Sequence, residues 1–321
     1  MKNRRLIFFG WHAGVSGMIN TLWALGKRLD VEGMGSAFSR LKQARTYADL
    51  SGAREDLARI AARIASDGVP QAIHPLVVGF TGYGNVSQGA QEILDMLPVQ
   101  TISPAELAAV AQNRLLDHRK IYKVVFKEAD LVEPLDADRG FDLDDYYRRG
   151  AGGYRSVFER TVEDLTVLVN CIYWDPRYPR LLTRERCRNL WAPGRSPKLK
   201  VIGDISCDVN GSVECTVKPT DPGNPVYVYE PATGRVNDGF EGAGPVIMAV
   251  EILPSEIPRE SSIDFSRVLK QFMPHLATAD LSRSFAELAL PPELKRAVIV
   301  YKGELTPDYA YLKSSLSSRH L

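Results

Sequence analysis

The spacing of apolar residues predicts two long helices in the first quarter of the chain. Apolar positions recur at helical spacing from Ala13 to Leu29, and again from Leu50 to Ser66. The segment 67–70, Asp-Gly-Val-Pro, predicts the end of the second helix, because glycine favours a helix C-cap and proline cannot continue a helix. A short apolar run at 6–9 predicts a strand ahead of the first helix.

From residue 75 onward the pattern is typical of a buried sheet. Residues 75–80 form a continuous apolar run, as expected for a strand that is covered on both faces of a parallel sheet. A turn over 81–85 and a helix over 86–97 follow it. Further strands are predicted at 99–102, 166–170, 199–203 and 226–229, and a mostly helical segment from 246 to 321. This alternation predicts an α/β fold with a doubly wound parallel sheet and flanking helical segments.

Composition and charge exclude several classes of protein. The 321 residues are 45% hydrophobic and 25% charged, which is typical of a globular protein. Lys and Arg number 40 against 39 Asp and Glu. This balance argues against a nucleic-acid or anionic-membrane partner, since phosphate contacts need clustered cations. The basic start at Lys2, Arg4 and Arg5 is followed by too few apolar residues for a signal peptide, and we expect a cytoplasmic protein.

The cysteines and histidines predict no metal site. No two of the cysteines form a C-x-x-C pair, so we expect free thiols in a reducing compartment; they are Cys171, Cys187, Cys207 and Cys215. None of the five histidines has metal-ligand spacing, and the acidic stretch 136–142 has Gly140 where a calcium ligand is required.

The glycine-bearing turn after the first sheet strand is the clearest candidate for ligand binding. Gly82, Gly84 and Ser87 follow a buried strand and open a helix. The first glycine permits a tight turn, the second lets the backbone approach a pyrophosphate, and the third position needs a small residue for packing. The free N–H groups of the helix N-terminus favour phosphate. The alternative is a tight structural turn without a ligand.

The next strand bears on which nucleotide would bind. Dinucleotide-binding folds usually place a carboxylate at the end of the second strand, where it holds the ribose 2′-hydroxyl. Here that strand ends at Ser103 without a carboxylate, which favours NADP over NAD. Arg114, Arg119 or Lys120 would then neutralise the 2′-phosphate, unless they lie on a solvated helix face.

A second candidate site begins at Asp204, at the carboxyl end of the strand predicted at 199–203. A carboxylate there would orient a nicotinamide or an amine, or would simply cap a loop. The charged and aromatic stretch 127–164 is longer than ordinary loops, and such segments are usually functional or mobile.

Several ordered motifs resemble one family. Residues 80–90, Phe-Thr-Gly-Tyr-Gly-Asn-Val-Ser-Gln-Gly-Ala, resemble the glycine loop of lysine-ketoglutarate reductase, the first half of aminoadipic semialdehyde synthase. The likeness continues through 170–174, 179–184, 204–206, 211–214, 241–244 and 253–254. Residues 9–20 resemble the helix that joins that family's two domains. More distantly, the chain resembles the C-terminal parts of saccharopine dehydrogenase and alanine dehydrogenase.

The resemblance implies a Rossmann domain and the reductive condensation of lysine with 2-oxoglutarate to saccharopine, with NAD or NADP as cofactor. It implies that the pyrophosphate is held by Gly82, Gly84, Asn85 and Val86, and that Ser103 lies near the adenosine ribose. It implies that the nicotinamide side is lined by Cys171, Ile172 and Tyr173. Asp204 and Ser206 would lie at the ribose or the reacting centre, and Asp204 is the catalytic candidate.

The resemblance also defines the expected organisation. We predict an inter-domain helix and helical segment over 1–74, a Rossmann dinucleotide-binding domain over 75–245, and a C-terminal helical segment over 246–321 that packs back toward the second domain. The family's N-terminal domain, with its catalytic Lys and His, has no expected counterpart here. We therefore expect either an oxidoreductase completed by a complementing domain or subunit, or a non-catalytic nucleotide- or partner-binding module. Uncovered apolar faces predict a homo-oligomer.

Overall fold

The computed structural model describes residues 5–317. Lys2, Arg4 and His320, which entered the arguments on signal peptides and metal ligands, lie outside the described residues. The described residues divide into two compact units, one of residues 9–261 and one of residues 5–8 together with 262–317.

The α-helices are α1 (Gly10–Val31), α2 (Leu50–Asp67), α3 (Asn85–Leu94), α4 (Leu107–Gln112), α5 (Glu128–Leu131), α6 (Leu143–Arg149), α7 (Arg184–Leu190), α8 (Pro258–Leu269), α9 (Met273–Ala277), α10 (Pro292–Ala297) and α11 (Lys313–Ser317). The strands are β1 (Leu76–Thr81), β2 (Val99–Ile102), β3 (Ile121–Phe126), β4 (Val132–Pro134), β5 (Tyr154–Ser156), β6 (Val167–Asn170), β7 (Val201–Asp204), β8 (Val226–Glu230), β9 (Arg235–Asp238), β10 (Val246–Met248), β11 (Val300–Tyr301) and β12 (Glu304–Leu305).

The larger unit is built on one sheet of eight strands in the order β2-β3-β1-β6-β7-β10-β8-β9. The first six are parallel, and β8 and β9 add antiparallel neighbours at one edge. The prediction of a doubly wound α/β fold is therefore confirmed. The strand next to β1 on its outer side is β3, however, although β2 follows β1 directly along the chain.

Alternate residues of the strands enter two separate cores, one on each face of the sheet. Val78 and Phe80 of β1 pack in the core that contains α1, α2 and α3, whereas Val77 packs in the core on the opposite face. In β6, Val169 and Leu168 divide in the same way. Because both faces are covered, the strands are continuously apolar, as the sequence pattern predicts.

Helices α1 and α3 pack with their backbones unusually close together. A Cβ atom added to Gly14 of α1 would overlap the carbonyl group of Val86 in α3. A Cβ atom on Gly89 of α3 would overlap the carbonyl oxygen of Trp11 in α1. A glycine on each helix thus removes the side-chain layer that normally separates packed helices, and α1 fixes the position of α3.

One sequence prediction about secondary structure is wrong, and a second differs from the structure at its start. Residues 5–9 form neither strand nor helix, and α1 begins at Gly10, three residues before the predicted start. A strand needs a hydrogen-bonded neighbour, and no described strand pairs with this segment. In the segment predicted to be mostly helical from 246, helices predominate from Leu253 onward, but the segment begins with β10 of the main sheet. The apolar run there is too short for its period to separate strand from helix.

The smaller unit contains a short hairpin. Strands β11 and β12 pair antiparallel, and the Tyr301 hydroxyl donates to the carbonyl oxygens of Leu281 and Arg283 at 3.0 and 3.1 Å. Within the described residues of the whole chain, no helix is long and apolar enough to cross a membrane.

Candidate functional site

The glycine turn connects β1 to α3 at the carboxyl edge of the sheet. Gly82 has φ +87°, a left-handed conformation that favours glycine, and a Cβ atom there would lie 3.0 Å from Cγ2 of Ile172. Its N–H donates to the carbonyl oxygen of Phe126 at 3.0 Å, which attaches the turn to the end of β3. Gly84 is the N-cap of α3, and a Cβ atom there would meet nothing within 4 Å.

These two glycines therefore serve different purposes. Gly82 is required by the backbone conformation of the turn. Gly84 has an ordinary φ of −74° and open space beside it, so the fold itself does not require a glycine there. The open space lies in front of the first turn of α3, where the N–H groups lack intrahelical partners. This arrangement suits a close approach by an anionic group.

A cleft of ≈ 350 Å³ opens beside the turn. That volume falls in the range of small-molecule sites. Its walls come from the glycine turn, the end of β3, the residues after β6 and an aromatic segment; they are Gly82, Tyr83, Gly84, Phe126, Glu128, Leu131, Tyr146, Tyr147, Cys171, Ile172, Tyr173, Trp174 and Tyr178. The cleft thus lies beyond the carboxyl ends of the strands, where ligands of open α/β sheets bind.

Glu128 supplies the carboxylate of this cleft. It lies two residues past the end of β3 and accepts a hydrogen bond from the Tyr147 hydroxyl at 2.6 Å. The negative charge of Glu128 raises the pKa of Tyr83, and burial, followed by the hydrogen bond to Glu128, raises the pKa of Tyr147. Burial also raises the pKa of Tyr146 and of the Cys171 thiol. Tyr83, Tyr146, Tyr147 and the Cys171 thiol are therefore neutral at physiological pH.

A buried polar network lies at the carboxyl ends of β1, β6 and β7. The side-chain amide nitrogen of Asn170 lies within 2.8–3.1 Å of oxygens of Asp204, Ser206 and Ser212. The Thr81 hydroxyl donates to the Asn170 carbonyl oxygen at 2.9 Å. Asp204 also accepts hydrogen bonds from Ser206 at 2.7 Å and from Thr216 at 2.5 Å. The network connects three neighbouring strand ends.

Asp204 is the centre of this network and is only 1% exposed. Burial raises its pKa, and the hydrogen bonds from Thr216, Ser206 and Asn170 oppose that rise. A carboxyl group so enclosed is held in place by its neighbours. Its immediate effect is to orient Asn170 and Ser206 at the edge of the sheet.

The ionisation of Asp204 should be visible in the pH dependence of stability. Because its folded pKa is raised above the ordinary 3.8, folding favours the protonated form. Stability therefore falls as pH rises from that ordinary value through the folded pKa. Asparagine does not ionise. In urea unfolding, we expect the free energy of unfolding of the wild type, minus that of Asp204→Asn, to fall as the pH rises above the ordinary carboxyl pKa of 3.8.

The control for this experiment is Asp144→Asn, at an exposed position. The free energy of unfolding of the wild type, minus that of Asp144→Asn, should not show the fall with pH that is expected for Asp204→Asn. A wild-type minus Asp204→Asn difference that stays level or rises with pH would contradict the argument.

The structure brings most of the predicted site residues together at the carboxyl ends of the parallel strands. Gly82, Gly84, Cys171, Ile172 and Tyr173 line the cleft, and Asn85 and Val86 form the first turn of α3. Asp204 and Ser206 lie in the polar network. Ser103 lies apart at the end of edge strand β2, where its hydroxyl hydrogen-bonds to Glu106 at 2.7 Å. In residues 5–317, no group of three His, Cys, Asp or Glu side chains is placed to hold a metal ion.

The cations that were candidates for binding a 2′-phosphate lie at the amino ends of the parallel strands, opposite the cleft. Arg114, Arg119 and Lys120 precede β3 and are therefore near the amino ends of the parallel strands. Arg114 donates to the carbonyl oxygen of His74, just before β1 begins. The prediction that they neutralise a 2′-phosphate beyond the carboxyl end of the second strand is wrong, because α4 returns the chain to the amino ends of the strands before β3 begins.

The sequence argument missed Glu128 and the aromatic side chains Tyr146, Tyr147, Trp174 and Tyr178 of the cleft. Three of these five residues lie in the stretch 127–164, whose length and aromatic content were the available signals. Their place in the cleft depends on long-range folding, since residues 146 and 178 meet only because both return to the end of β1. The ring centroids of Tyr146 and Tyr178 are 5.2 Å apart.

The chain is similar to known proteins over nearly its whole length. It is 36% identical over 322 residues to alpha-aminoadipic semialdehyde synthase of Arabidopsis thaliana, an alignment that covers 96% of this chain and 29% of that protein. It is 33% identical to the mitochondrial alpha-aminoadipic semialdehyde synthase of Bos taurus, over 98% of this chain and 35% of that protein. The chain belongs to the alpha-aminoadipic semialdehyde synthase family. It spans about a third of the length of these members of the family.

Other similarities are shorter or more remote. A 120-residue portion is 34% identical to the NAD(+)-, L-lysine-forming saccharopine dehydrogenase of Emericella nidulans, covering 35% of this chain and 28% of that protein. A solved structure of L-alanine dehydrogenase superposes with a TM-score of 0.51 at 15% identity, covering 99% of this chain and 66% of that chain. This structural similarity supports the α/β fold of the chain. No protein-family model matches the chain.

Proposed function

We propose that the chain binds a nicotinamide dinucleotide at its glycine turn and is the nucleotide-binding part of an oxidoreductase that acts on CH–NH bonds. Gly84 carries this proposal, because it leaves open space in front of the first turn of α3, beside the cleft. Helix N-termini at the carboxyl edge of a parallel sheet are favourable sites for pyrophosphate. Membership of the alpha-aminoadipic semialdehyde synthase family supports the same function.

The proposed reaction is the reductive condensation of lysine with 2-oxoglutarate to saccharopine. In such chemistry a reduced nicotinamide supplies a hydride to a carbon–nitrogen double bond. The part of this chain is to bind and orient the dinucleotide. The N–H groups of Asn85 and Val86 would hold the pyrophosphate, and Ile172 and Tyr173 would exclude water from one side of the cleft.

The proposed reaction also needs proton transfer, and the tyrosines, the thiol and the buried carboxyl group of this site are poorly suited to it. An effective acid or base has a pKa near the working pH. Tyr146, Tyr147 and Cys171 all have raised pKa values, and Asp204 is enclosed by its hydrogen-bond partners. We therefore propose that a complementing domain or subunit supplies the acid–base group and completes the site for the amino acid and the 2-oxo acid.

Calorimetric titration of the purified chain with NADH and with NADPH tests the binding step. We expect a dissociation constant in the micromolar range for at least one of them, about −8 kcal/mol. No heat and no thermal stabilisation with either nucleotide would overturn the proposal.

A second candidate function is a nucleotide-binding module without catalysis of its own. The raised pKa values of Tyr146 and the Cys171 thiol favour it, because neither side chain is then a good proton-transfer group at physiological pH. Nucleotide oxidation in the presence of lysine and 2-oxoglutarate discriminates between the two. The enzyme proposal expects turnover when the portion of the Bos taurus relative that this chain does not match is added. Binding without turnover in that mixture supports the module.

A further inference from the structure

Two cysteine side chains meet in the core on the face of the sheet opposite α1. Cys187 lies in α7, and Cys215 lies in the segment 205–225 between β7 and β8. Both residues are fully buried, and both are free thiols in this structure. Their Sγ atoms are in direct contact at 2.6 Å, although the residues are 28 positions apart in sequence. The fold thus brings two thiols together that the spacing of the cysteines does not pair.

The backbone on both sides of this contact is held by the fold. Leu182 and Val213 form a parallel β-bridge, and the N–H of Glu214 donates to the carbonyl oxygen of Leu182 at 2.9 Å. The N–H of Arg184, in the first turn of α7, donates to the Glu214 carboxylate at 2.9 Å. The start of α7 and the residues just before Cys215 are therefore fixed to each other, and the two thiols face each other as a consequence.

A pair of thiols in contact has limited chemistry. A structural zinc site needs four ligands. Within residues 5–317, no three His, Cys, Asp or Glu side chains are placed to hold a metal ion. Oxidation of the two thiols to a disulfide needs no further ligand, and in proteins such a pair is interconverted by thiol–disulfide exchange.

The contact lies directly behind the buried polar network of the site. Cys215 precedes Thr216, whose hydroxyl donates to Asp204 at 2.5 Å. Ser212, three residues before Cys215, has its hydroxyl oxygen 2.9 Å from the side-chain nitrogen of Asn170. A covalent bond at Cys215 would therefore restrain the short segment that supplies two hydroxyl groups to the network at the ends of β6 and β7.

We propose that Cys187 and Cys215 are a redox pair that is reversibly oxidised to an intramolecular disulfide, and that this bond fastens the segment 211–216 to α7. The oxidant is a low-molecular-weight disulfide, R–S–S–R. One protein thiolate attacks it and releases R–SH, and the second protein thiolate then displaces the other R–SH from the mixed disulfide. The two R–SH products carry the two electrons and two protons that the protein thiols lose. This inference does not depend on dinucleotide binding.

The surroundings of the pair determine how fast it reacts. Burial, followed by the contact with Cys187, raises the pKa of the Cys215 thiol. Because the thiolate is the reactive form, the pair is unreactive while α7 is in place. Helix α7 has only seven residues, and local opening of such an element exposes both thiols. We therefore expect oxidation to be slow in buffer and faster in sub-denaturing urea.

The test is a peptide map of the full chain after incubation with oxidised glutathione in sub-denaturing urea. Free thiols are then alkylated with iodoacetamide in denaturant, and the digest is analysed by mass spectrometry. We expect a cross-linked peptide that joins Cys187 to Cys215. The thermal midpoint of unfolding should rise by about 5–10 °C, because the bond closes a long loop in the unfolded chain. Dithiothreitol should reverse both changes.

Cys215→Ala removes the pair, and Cys207→Ala is the matched control, since it removes a thiol outside the pair. The cross-link and the rise in midpoint should persist in Cys207→Ala and be absent from Cys215→Ala. Hydrogen exchange reports on the segment itself. The Thr216 N–H donates to the carbonyl oxygen of Val213 at 3.1 Å, and its exchange should slow when the wild type is oxidised.

Several outcomes would overturn the proposal. Two alkylated thiols at 187 and 215, glutathione attached to either of them without a cross-link, or a cross-link to a different cysteine would each refute the pair. A cross-link that leaves the midpoint and the Thr216 exchange unchanged would refute its effect on the segment 211–216. The peptide map uses the wild type, so it decides the question even if Cys215→Ala does not fold.

Discussion

Gly84→Asp should fold at least as well as the wild type and lose dinucleotide binding. Aspartate is among the preferred residues at a helix N-cap, and its charge interacts favourably with the N-terminus of α3. A Cβ atom at this position meets nothing within 4 Å, so the substitution causes no clash. The same carboxylate would occupy the place proposed for the pyrophosphate. Like charges in contact cost several kcal/mol, so we expect affinity to fall by about a hundredfold or more.

The measurement is a pair of titrations beside a urea unfolding curve. Gly84→Ser is the matched control, because serine also caps helices but carries no charge. It should retain most of the binding that Gly84→Asp loses. Equal affinity in wild type and Gly84→Asp, with the fold intact, would show that no phosphate binds in front of α3.

Gly14→Ala should destabilise the larger unit by about 2–3 kcal/mol, as overpacked cores usually do. The added methyl group would overlap the carbonyl carbon and oxygen of Val86. These atoms belong to the backbone of α3 and cannot rotate away. Alanine stabilises a helix by up to about 1 kcal/mol relative to glycine. The expected destabilisation of about 2–3 kcal/mol is what remains after this gain is subtracted from the cost of the overlap. Denaturant unfolding at equilibrium measures it.

Gly52→Ala is the matched control, since Gly52 lies in helix α2 and its added Cβ would make only an ordinary contact, 3.4 Å from the Tyr47 ring. That variant should be as stable as the wild type or slightly more stable. If Gly14→Ala were also neutral, the close packing of α1 on α3 would not be rigid.

The sequence predicts local features of the site well. Strand β1, the tight turn at Gly82 and helix α3 follow one another along the chain, and each is specified by residues within a few positions. The buried strands β6 and β7 are also visible as apolar runs, so the position of Asp204 at a strand end can be predicted.

Strand order could not be predicted in the same way. Nothing local to β2 or β3 states which of them pairs with β1, because pairing depends on contacts between strands 40 residues or more apart in sequence. The family resemblance places Ser103 near the ribose. Glu128 was overlooked because no strand was predicted at 121–126. The tyrosines of the cleft, such as Tyr147, likewise reach it through tertiary folding.

The contact between α1 and α3 limits how the glycine turn can be engineered. Gly14 and Gly89 lie far apart in sequence, yet each faces the backbone of the other helix. A turn transplanted from a relative would therefore arrive with its own α3 but meet a foreign α1. Chimaeras intended to exchange nucleotide preference should carry residues 10–31 together with 76–94, so that both halves of the contact come from one parent.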